Sequence, residues 1–566
     1  MTNKAIARIL KETAMLLELT GGNPFRARAY ANAARTIERM ETPVADRLGD
    51  GSLTDVPGIG AGLEAQIREI VARGSFGLRD DLLNAVPTGL LDVLRVKGLG
   101  PKKVRRLREA LGVTSLEDLE RAAQTGQLAA LDGFGKRTEH RVLEQIGLLR
   151  KYSARRRLAD ACAQTTPLFE ALRAEAAVDE VSYAGEMRRA LETVGAAELA
   201  AAGEAETIRR ILDAHLDAVR ESARAGTTTF TGTLPDGFTL HLHLVGPERF
   251  GTERWRHTGS ETHVEAFVKR FGEPPPFATE TDLFEHFGLT FIPPELREGG
   301  DEIDLAASGS LPKLVTLDDL RGSLHNHSTY SDGAHSLREM AEAARARGLE
   351  YFGICDHSRS LTIAHGMPIP RVRRQHEEIA RLNAVFAEDG GAPFRIFAGI
   401  ESDILADGSL DYPDEVLASF DLVVASIHSG FNMTEAEATA RLIRAVENPF
   451  TTILGHPTGR LLLAREGYPI DHEAVIEACA EHGVAIELNA NPYRLDLDWR
   501  WIRAATGRGV LIAINPDAHA KEQLDLVRWG VATGRKGYLT AEQCLNALPL
   551  EAFAARLEAR KARRPA

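Results

Sequence analysis

The chain has 566 residues, with 68 basic and 81 acidic side chains, a formal charge of −13 and a hydrophobic content of 44%. This composition excludes a disordered or fibrous protein, and the length predicts three or four domains. No segment approaches the roughly 18 apolar residues that cross a bilayer, so no membrane partner is expected. The sequence does not open on a secretory signal, and its four cysteines lie far apart without a CxxC pair. We therefore expect a reducing, cytoplasmic location.

The charge is distributed unevenly along the chain. Residues 1–160 contain 27 basic and 20 acidic side chains, or +7, whereas the remainder contains 41 and 61, or −20. Histidine is skewed in the other direction, because 11 of the 18 histidines follow residue 320. Binding to nucleic-acid phosphates requires Lys and Arg, so only the amino-terminal charge favours such a partner. The sequence thus predicts two regions with different chemistry.

Three segments of the basic region, at 56–60, 96–103 and 131–137, place a hydrophobic-Gly-hydrophobic-Gly pattern directly before a helical pattern. A glycine turn that opens a helix exposes backbone N–H groups, which bind phosphate together with the helix dipole. The segments resemble helix-hairpin-helix motifs, which hold DNA phosphates without reading sequence. For any single copy, a solvated basic helix after a tight turn is the alternative. The residues expected to contact DNA here are Gly58, Gly60, Lys97, Gly98, Gly100, Lys102, Lys103, Gly133, Gly135 and Lys136.

Residues 23–35, with the sequence NPFRARAYANAAR, resemble the N-terminal domain of bacterial family X DNA polymerases. Arg28 and Arg35 are seven residues apart, which places them on one face of a helix. We expect both to contact DNA, and a surface-exposed arginine stripe is the alternative. The implied partner is DNA that is gapped, nicked or carries a 3′ end, and a nucleoid-associated location would follow.

The segment 184–199 is similar to the palm signature of the same polymerase family. In that family a serine that contacts the nucleotide and three metal-binding aspartates occupy positions that here hold Glu186, Ala196, Glu198 and His241. Alanine has no ligand atom, histidine binds Mg²⁺ poorly, and an acidic side chain repels a triphosphate. The resemblance therefore implies a polymerase-like fold that binds DNA without polymerase activity. The alternative is a manganese site improvised by Glu198 and His241 that retains gap filling.

From about residue 319, short apolar strands alternate with amphipathic helices, and the strands are predicted at 349–355, 395–400, 422–427, 451–454, 484–488 and 510–514. This rhythm is typical of a parallel-stranded α/β domain, which can close into a barrel. His325 and His327 are two apart on a strand, so both imidazoles can reach one metal ion. Further ligand-type residues follow at successive strand ends, which converge on one face of a barrel. The sequence thus predicts a metal-binding active site on that face.

The order HxH…D…H…E…H…H…DxH resembles the polymerase and histidinol phosphatase (PHP) domain, a phosphoesterase fold with three metal ions. By position, the resemblance implies the ligands His325, His327, Asp332, His357, Glu401, His428, His456, Asp517 and His519. Glu401, the only glutamate of the set, is expected to bridge two ions. Imidazole and carboxylate ligands suit Mn²⁺ or Zn²⁺. Arg460 and Arg494 are expected to bind phosphate, with a surface salt bridge as the alternative for each.

The predicted fold is multidomain α+β, with a helical helix-hairpin-helix region, a nucleotidyltransferase-like palm and a C-terminal (β/α) barrel of PHP type. The predicted domains are a DNA-binding domain at 1–80, a second one at 81–160, a degenerate palm at 161–235, a C-terminal polymerase subdomain and linker at 236–318, and the PHP domain at 319–566. We expect a monomeric DNA repair protein that acts mainly as a metal-dependent 3′-5′ exonuclease or 3′-end phosphoesterase. A DNA-end-binding scaffold with phosphomonoesterase activity is a further alternative.

Overall fold

Helices build the amino-terminal unit, Met1–Ala154, one of two compact units into which the chain divides. The computed structural model describes residues 3–38, 40, 42–224 and 226–562. Two buried apolar clusters hold this unit together, one around Tyr30 and one around Leu107. The helices are α1 (Asn3–Leu19), α2 (Pro24–Glu38), α3 (Val44–Gly49), α4 (Ala61–Arg73), α5 (Gly77–Ala85), α6 (Thr88–Leu94), α7 (Pro101–Leu111), α8 (Leu116–Gln124) and α9 (Lys136–Ser153).

Three of these helices, α4, α7 and α9, begin with the same turn. The first glycine of each turn has a positive φ, which L side chains rarely adopt, and these residues are Gly58, Gly98 and Gly133. The second glycine is extended and directly precedes the helix, and these residues are Gly60, Gly100 and Gly135. The hydrophobic residue between the glycines is buried in each copy, at Ile59, Leu99 and Phe134. Glycine thus supplies the backbone bend, and the buried side chain anchors it.

The first half of the second unit, Arg155–Ala566, is a five-stranded sheet flanked by helices. Its elements are β1 (Arg156–Arg157), α10 (Leu158–Ala174), β2 (Val178–Tyr183), α11 (Gly185–Arg188), β3 (Thr193–Val194), β4 (Ala197–Gly203), α12 (Ala205–His215), β5 (Asp217–Arg224), β6 (Thr227–Thr233), β7 (Thr239–Val245), α13 (Phe250–Thr258), α14 (Glu261–Phe271), α15 (Glu280–His286) and α16 (Glu302–Ala307). The strand order is β2-β4-β7-β6-β5, with β1 and β3 paired separately.

In this sheet β4 and β7 run parallel, and their register sets Glu198 beside His241. Residues 200–202 of β4 are buried alanines, because the strand lies inside the sheet with helices packed on it. The alternation of threonine with buried Phe230 in β6 is typical of a strand with one face in the core. Two neighbouring strands, β4 and β7, thus carry Glu198 and His241, and Ala196, the third position of the polymerase pattern, directly precedes β4.

The second half of the unit is a parallel barrel of seven strands surrounded by helices. Its elements are β8 (Gly322–Ser323), α17 (Leu337–Ala346), β9 (Tyr351–Ile354), α18 (Ile369–Glu388), β10 (Arg395–Asp403), α19 (Asp414–Leu417), β11 (Leu422–Ser426), α20 (Glu435–Glu447), β12 (Ile453–Leu454), α21 (His472–His482), β13 (Ala485–Asn489), α22 (Trp499–Gly507), β14 (Ile512–Asn515), α23 (Val527–Lys536) and α24 (Leu550–Lys561).

The strands of the barrel follow in chain order from β8 to β14, and all the pairings are parallel. A bridge between Asn326 and Ala518 brings the first and last strands together, because the His327 N–H donates to the Ala518 carbonyl over 2.8 Å. The strand residues of β9, β11, β13 and β14 are buried throughout, as parallel strands covered on both faces require. The six strands predicted from apolar runs and the overall fold class are confirmed.

The segment 311–315, which lies at the end of the predicted polymerase subdomain and linker at 236–318, is packed against the barrel. The Val315 N–H donates to the Leu539 carbonyl over 2.8 Å, and Arg535 donates to the Val315 carbonyl over 3.2 Å. Trp529 of α23 also packs on the core of the five-stranded sheet. The sheet and the barrel therefore form one unit. Among the described residues, no helix is long and apolar enough to cross a membrane.

Candidate metal centre

Glu401, near the carboxyl end of β10, lies at the middle of the predicted ligand set. Its side chain is 1% exposed. One carboxylate oxygen, Oε1, lies 3.1 Å from Nε2 of His428 and 3.1 Å from Nε2 of His456. The other oxygen, Oε2, lies 2.8 Å from Nδ1 of His357 and 3.4 Å from Nε2 of His325. Because the two oxygens face different histidines, the carboxylate can bridge two ions.

Three overlapping groups of side chains have ligand atoms close enough to hold a metal ion. Each group keeps its candidate ligand atoms within 4.8 Å of one another. The groups are His325, His327 and Asp517; His357, Glu401 and His428; and His327, Asp332, His357 and His519. His456 is linked to the second of these groups by its contact with Glu401. The structure therefore brings together all nine residues that the sequence pattern suggests as ligands.

The third group forms the open side of the site. Asp332 Oδ1 lies 3.5 Å from Nε2 of His357 and 3.5 Å from Nε2 of His519. The Asp332 and His519 side chains keep 31% and 32% of their surfaces exposed, whereas His325 and His327 are fully buried. A substrate can therefore reach the ligand set from the side of Asp332 and His519.

The short contacts around Glu401 Oε2 do not have hydrogen-bond geometry, so several buried ligand-type atoms have no hydrogen-bond partner among the described residues. They include Nε2 of His325, Nδ1 of His357 and Oε2 of Glu401. Leaving buried polar atoms without partners costs about 1–3 kcal/mol each, and a divalent ion at these positions would satisfy them. Nitrogen and carboxylate oxygen donors are the set that Zn²⁺ and Mn²⁺ accept. The residues present therefore fit a cluster of divalent ions.

Two carboxylates outside the candidate ligand set, Glu487 and Asp403, fix the orientation of the imidazole rings of His325 and His428. Nδ1 of His325 lies 2.6 Å from Glu487 Oε1, and Nδ1 of His428 lies 2.5 Å from Asp403 Oδ1. Each contact leaves the Nε2 atom of that ring directed toward Glu401. Such outer partners fix the tautomer of a metal-binding histidine. Sequence reasoning missed both carboxylates, although Glu487 is the single charge in the apolar run 484–488.

The charges in the site support one another. Burial opposes ionisation of Glu401, but His428, His325 and His357 outweigh it and hold the pKa of the Glu401 carboxyl well below its usual range. Burial alone would lower the pKa of His428, but Glu401 and Asp403 raise it to about 10. The acidic groups therefore remain ionised in this buried setting, as metal ligands must be.

The two arginines predicted to bind phosphate lie in different surroundings. The Arg460 guanidinium donates to the Arg494 carbonyl over 2.9 Å and to Asp498 over 2.7 Å, and it also bonds the Leu495 carbonyl. Because protein acceptors occupy its N–H groups, these contacts favour a role in holding the loop rather than a phosphate. Arg494 faces the site, with Nε 3.8 Å from Asp517 Oδ2. Phosphate binding by Arg494 stays a prediction.

The predicted DNA-contact residues lie on the surface of the amino-terminal unit. Arg28 and Arg35 are both exposed on α2. The glycines at the starts of α4, α7 and α9 make no side-chain cap, so the first backbone N–H groups of each helix are available to an anion. The basic side chains beside these turns are exposed, and they are Lys97, Lys102, Lys103 and Lys136. Each of these turns is suited to phosphate binding.

The palm positions form an ion pair and a hydrogen bond instead of a metal site. The Glu186 carboxylate accepts a 2.6 Å hydrogen bond from the Gly195 N–H and 2.9 Å bonds from Arg155. Glu198 lies 3.9 Å from Nε2 of His243, and His241 is bonded to the Thr231 hydroxyl over 2.9 Å. Burial lowers the pKa of His241. Among the described residues, the candidate metal-binding groups all lie in the barrel.

Known protein families match most of these regions. A helix-hairpin-helix domain matches residues 1–76, a SAM-like helix-hairpin-helix tandem matches 90–147, and a PHP domain matches 323–491. PHP domains are metal-dependent, and the ligand set above could hold the ions. The fold, the site and these matches define a DNA-binding protein with a hydrolase domain of the nuclease or phosphatase type.

The chain is 37% identical over 572 residues to the DNA polymerase/3'-5' exonuclease PolX of Bacillus subtilis (strain 168), which covers 97% of this chain and 98% of that relative. It therefore belongs to the PolX family, the family X DNA polymerases with a C-terminal PHP domain. Shorter relatives match part of the chain. Probable phosphatases of Syntrophotalea carbinolica and Caldicellulosiruptor saccharolyticus are 33% and 30% identical, over 30% and 35% of this chain and 65% and 80% of their own lengths.

Proposed function

We propose that this protein shortens DNA from the 3′ end through the PHP domain and that its palm does not polymerise. The observation that carries the proposal is the contrast between the two candidate sites. Nine ligand-type side chains converge on and around Glu401 in the barrel, whereas the palm has Ala196 at one aspartate position. The name of the Bacillus subtilis relative includes both activities. The geometry of this chain favours the exonuclease.

The proposed reaction is hydrolysis of the terminal phosphodiester. Three divalent ions, Mn²⁺ or Zn²⁺, held by His325, His327, Asp332, His357, Glu401, His428, His456, Asp517 and His519, would activate water and neutralise the charge that develops on the phosphate and the departing 3′ oxygen. Glu487 and Asp403 hold two of the imidazoles in the orientation that ligation requires. Arg494 is suited to contact a phosphate oxygen beside Asp517.

The palm is proposed to bind DNA without nucleotidyl transfer. Two-metal transfer needs carboxylates that bridge two ions about 3.5–4 Å apart. Ala196 has no ligand atom, and His241 offers a neutral imidazole in place of a carboxylate. In addition, Glu186 places a negative charge where the family has a serine that contacts the triphosphate. These features support a palm that has kept its fold and lost its chemistry.

The amino-terminal unit is proposed to hold gapped, nicked or 3′-ended DNA by its backbone. The repeated glycine turns at the starts of α4, α7 and α9, with exposed lysines beside them, support phosphate contact without sequence reading. We retain the predicted domains as a proposal, namely 1–80 and 81–160 for DNA, 161–235 and 236–318 for the polymerase part, and 319–566 for PHP.

A 5′-labelled gapped duplex with Mn²⁺ and all four nucleotides tests the proposal. We expect the labelled strand to shorten, and we expect His325→Ala and Asp517→Ala to abolish the shortening. Lengthening of the strand would overturn the claim of an inactive palm and would favour manganese-dependent gap filling through Glu198 and His241. A fully active Asp517→Ala variant would place the nuclease outside the barrel site.

The similarity to probable phosphatases favours a second candidate function, hydrolysis of phosphate monoesters by a DNA-end-binding scaffold. The same preparation is tested with p-nitrophenyl phosphate and with DNA that ends in a 3′ phosphate. Cleavage of these monoesters without shortening of a 3′-hydroxyl strand would favour this second function. Shortening of the 3′-hydroxyl strand would favour the exonuclease.

A further inference from the structure

A polar cleft of about 480 Å³ adjoins the metal-binding face of the barrel. Ser331 donates a hydrogen bond of 3.3 Å to Asp332 Oδ1, so one wall of the cleft touches a candidate metal ligand. Asp332 is on the open side of the ligand set. The residues that line the cleft are Thr329, Tyr330, Ser331, His365, Arg371 and Arg374. A substrate that enters beside Asp332 would therefore pass this cleft.

Two loops form the walls of the cleft, and each loop follows a candidate metal ligand in the chain. Residues 329–331 follow His327, and residues 358–367 follow His357. The last residue of the second loop returns to its start, because the Met367 N–H donates to the His357 carbonyl over 2.8 Å. Gly366 permits this closure, since a Cβ atom there would lie 2.0 Å from the Ser358 carbonyl oxygen. The position of the walls is thus fixed relative to the ligands.

Arg371 joins the two walls. Its Nη1 atom donates to the Tyr330 carbonyl over 3.1 Å and to the His365 carbonyl over 3.0 Å. Tyr330 is held in turn by a 2.7 Å hydrogen bond from its hydroxyl to Glu378. The walls are therefore braced from α18, through Arg371 and through the Glu378 carboxylate that accepts from Tyr330.

Arg374 stands one helical turn after Arg371 on α18 and is exposed. Within the described part of the chain, its guanidinium is not part of an ion pair. Both arginines line the cleft, together with hydroxyl-bearing residues and an exposed His365. The cleft is thus cationic and rich in hydrogen-bond donors, although the unit around it is acidic. Arginine binds phosphate with two parallel N–H bonds.

We propose that this cleft binds the phosphodiester backbone of the DNA strand whose 3′ end lies at the metal centre, with Arg374 as the contact to an upstream phosphate. Arg371 is a positioning residue, since it holds the walls rather than facing the strand. The cleft is open to solvent, as a surface that holds a continuous strand must be, and its volume of about 480 Å³ lies in the range of about 300–1,000 Å³ found for ligand sites. The inference rests on the proposed exonuclease function and adds where the substrate strand is held.

The test compares Arg374→Ala and Arg374→Lys with Arg373→Ala, a matched control on the same helix that is exposed but does not line the cleft. The substrates are a 5′-labelled 20-nucleotide single strand and bis(p-nitrophenyl) phosphate, a diester with no upstream phosphate, both with Mn²⁺. For Arg374→Ala we expect KM for the oligonucleotide to rise about tenfold and kcat/KM for the small diester to stay within about twofold. Arg374→Lys should recover part of the loss, and Arg373→Ala should match the wild type.

Salt dependence gives a second readout. The slope of log binding constant against log salt should be shallower by about 0.7 in Arg374→Ala, as expected for one lost contact to a single strand. An unchanged oligonucleotide KM in Arg374→Ala, or an equal loss on both substrates, would overturn the assignment. Failure of the exonuclease proposal is seen separately, in the wild type, as cleavage of the small diester without shortening of the strand.

Discussion

The Glu186 carboxylate accepts a 2.6 Å hydrogen bond from the backbone N–H of Gly195, and Arg155 holds it there with bonds of 2.9 Å. Gly195 directly precedes Ala196, the position at which the polymerase pattern requires a metal ligand. The Glu186 carboxylate thus occupies a backbone donor beside a position that matches a metal ligand of the polymerase pattern. Glu186 therefore uses the Gly195 N–H and the Arg155 guanidinium, two donors that would otherwise be available to a triphosphate.

Replacement of Glu186 by serine should therefore improve nucleotide binding without restoring polymerisation. Removal of one negative charge from within a few ångströms of a triphosphate is worth about 1–2 kcal/mol at a partly exposed site, so we expect the affinity for Mn²⁺-bound dNTP to rise about tenfold. The binding is measured by calorimetry, with Glu186→Gln as a variant that keeps the size and removes the charge. Primer extension by Glu186→Ser would contradict the expectation, because it would mean that Glu198 and His241 suffice for catalysis.

Glu487 and Asp403, the carboxylates that orient two of the candidate ligand histidines, lead to a second prediction. Glu487 is fully buried and holds Nδ1 of His325 at 2.6 Å. Glu487→Gln should weaken metal binding by about 10–100-fold, since outer partners that orient a metal-binding histidine contribute that much. Metal content after dialysis and the Mn²⁺ concentration for half-maximal activity are the measurements. Glu481→Gln, an exposed change on the neighbouring helix, should leave both unchanged. Equal metal content in Glu487→Gln and the wild type would show that Glu487 serves the fold alone.

The convergence of the nine ligand-type residues could be predicted from the sequence, but the carboxylates that orient them could not. His325, Glu401 and Asp517 are visible because parallel strands end on one face, so ligand-type residues at successive strand ends must converge. Glu487 stands out only as the single charge in the apolar run 484–488, and the sequence does not show which histidine Glu487 or Asp403 orients, because that depends on contacts between strands. The Glu186–Arg155 pair joins residues 31 apart, and only the folded turn brings them together. The same holds for Arg460, whose acceptors belong to a loop about 35 residues away.

Replacement by alanine should have different effects on stability and kinetics at Arg460 and at Arg494. Arg460 bonds two backbone carbonyls of the loop that carries Arg494, and it lies 3.5 Å from Glu192. Arg460→Ala should lower the unfolding temperature, because it leaves buried carbonyls without a donor at about 1–3 kcal/mol each, and should lower kcat as well. Arg494→Ala should raise KM for DNA and leave the unfolding temperature within about 1 °C of the wild type. Thermal unfolding and steady-state kinetics on both variants decide this. Loss of stability in Arg494→Ala alone would reverse the two roles.

Glu280, at the start of α15, gives a prediction about pH. Its carboxylate is 1% exposed and lies 2.6 Å from Arg188 and 2.7 Å from Arg297. Burial opposes its ionisation, but Arg297 and Arg188 outweigh burial and lower the pKa of Glu280 below the usual 4.5. A carboxyl whose pKa falls on folding stabilises the native state above its unfolded pKa and loses that contribution as pH falls through the folded value.

Glu280→Gln should therefore destabilise the protein most at neutral pH. Removal of one partner from a buried ion pair costs about 3–5 kcal/mol, because Arg297 is left without its counter-ion. The deficit should be full at pH 7 and should begin to shrink as pH falls below about 4.5, where the unfolded wild type takes up a proton that the folded wild type does not, and it should vanish only as pH falls through the lower pKa of the folded state. Urea unfolding followed by tryptophan fluorescence, to which the buried Trp255 contributes, measures the deficit at pH 7 and at pH values below 4.5. Glu265→Gln, on the exposed side of α14, is the matched control. A Glu280→Gln deficit that is equal at every pH would contradict the ion-pair explanation.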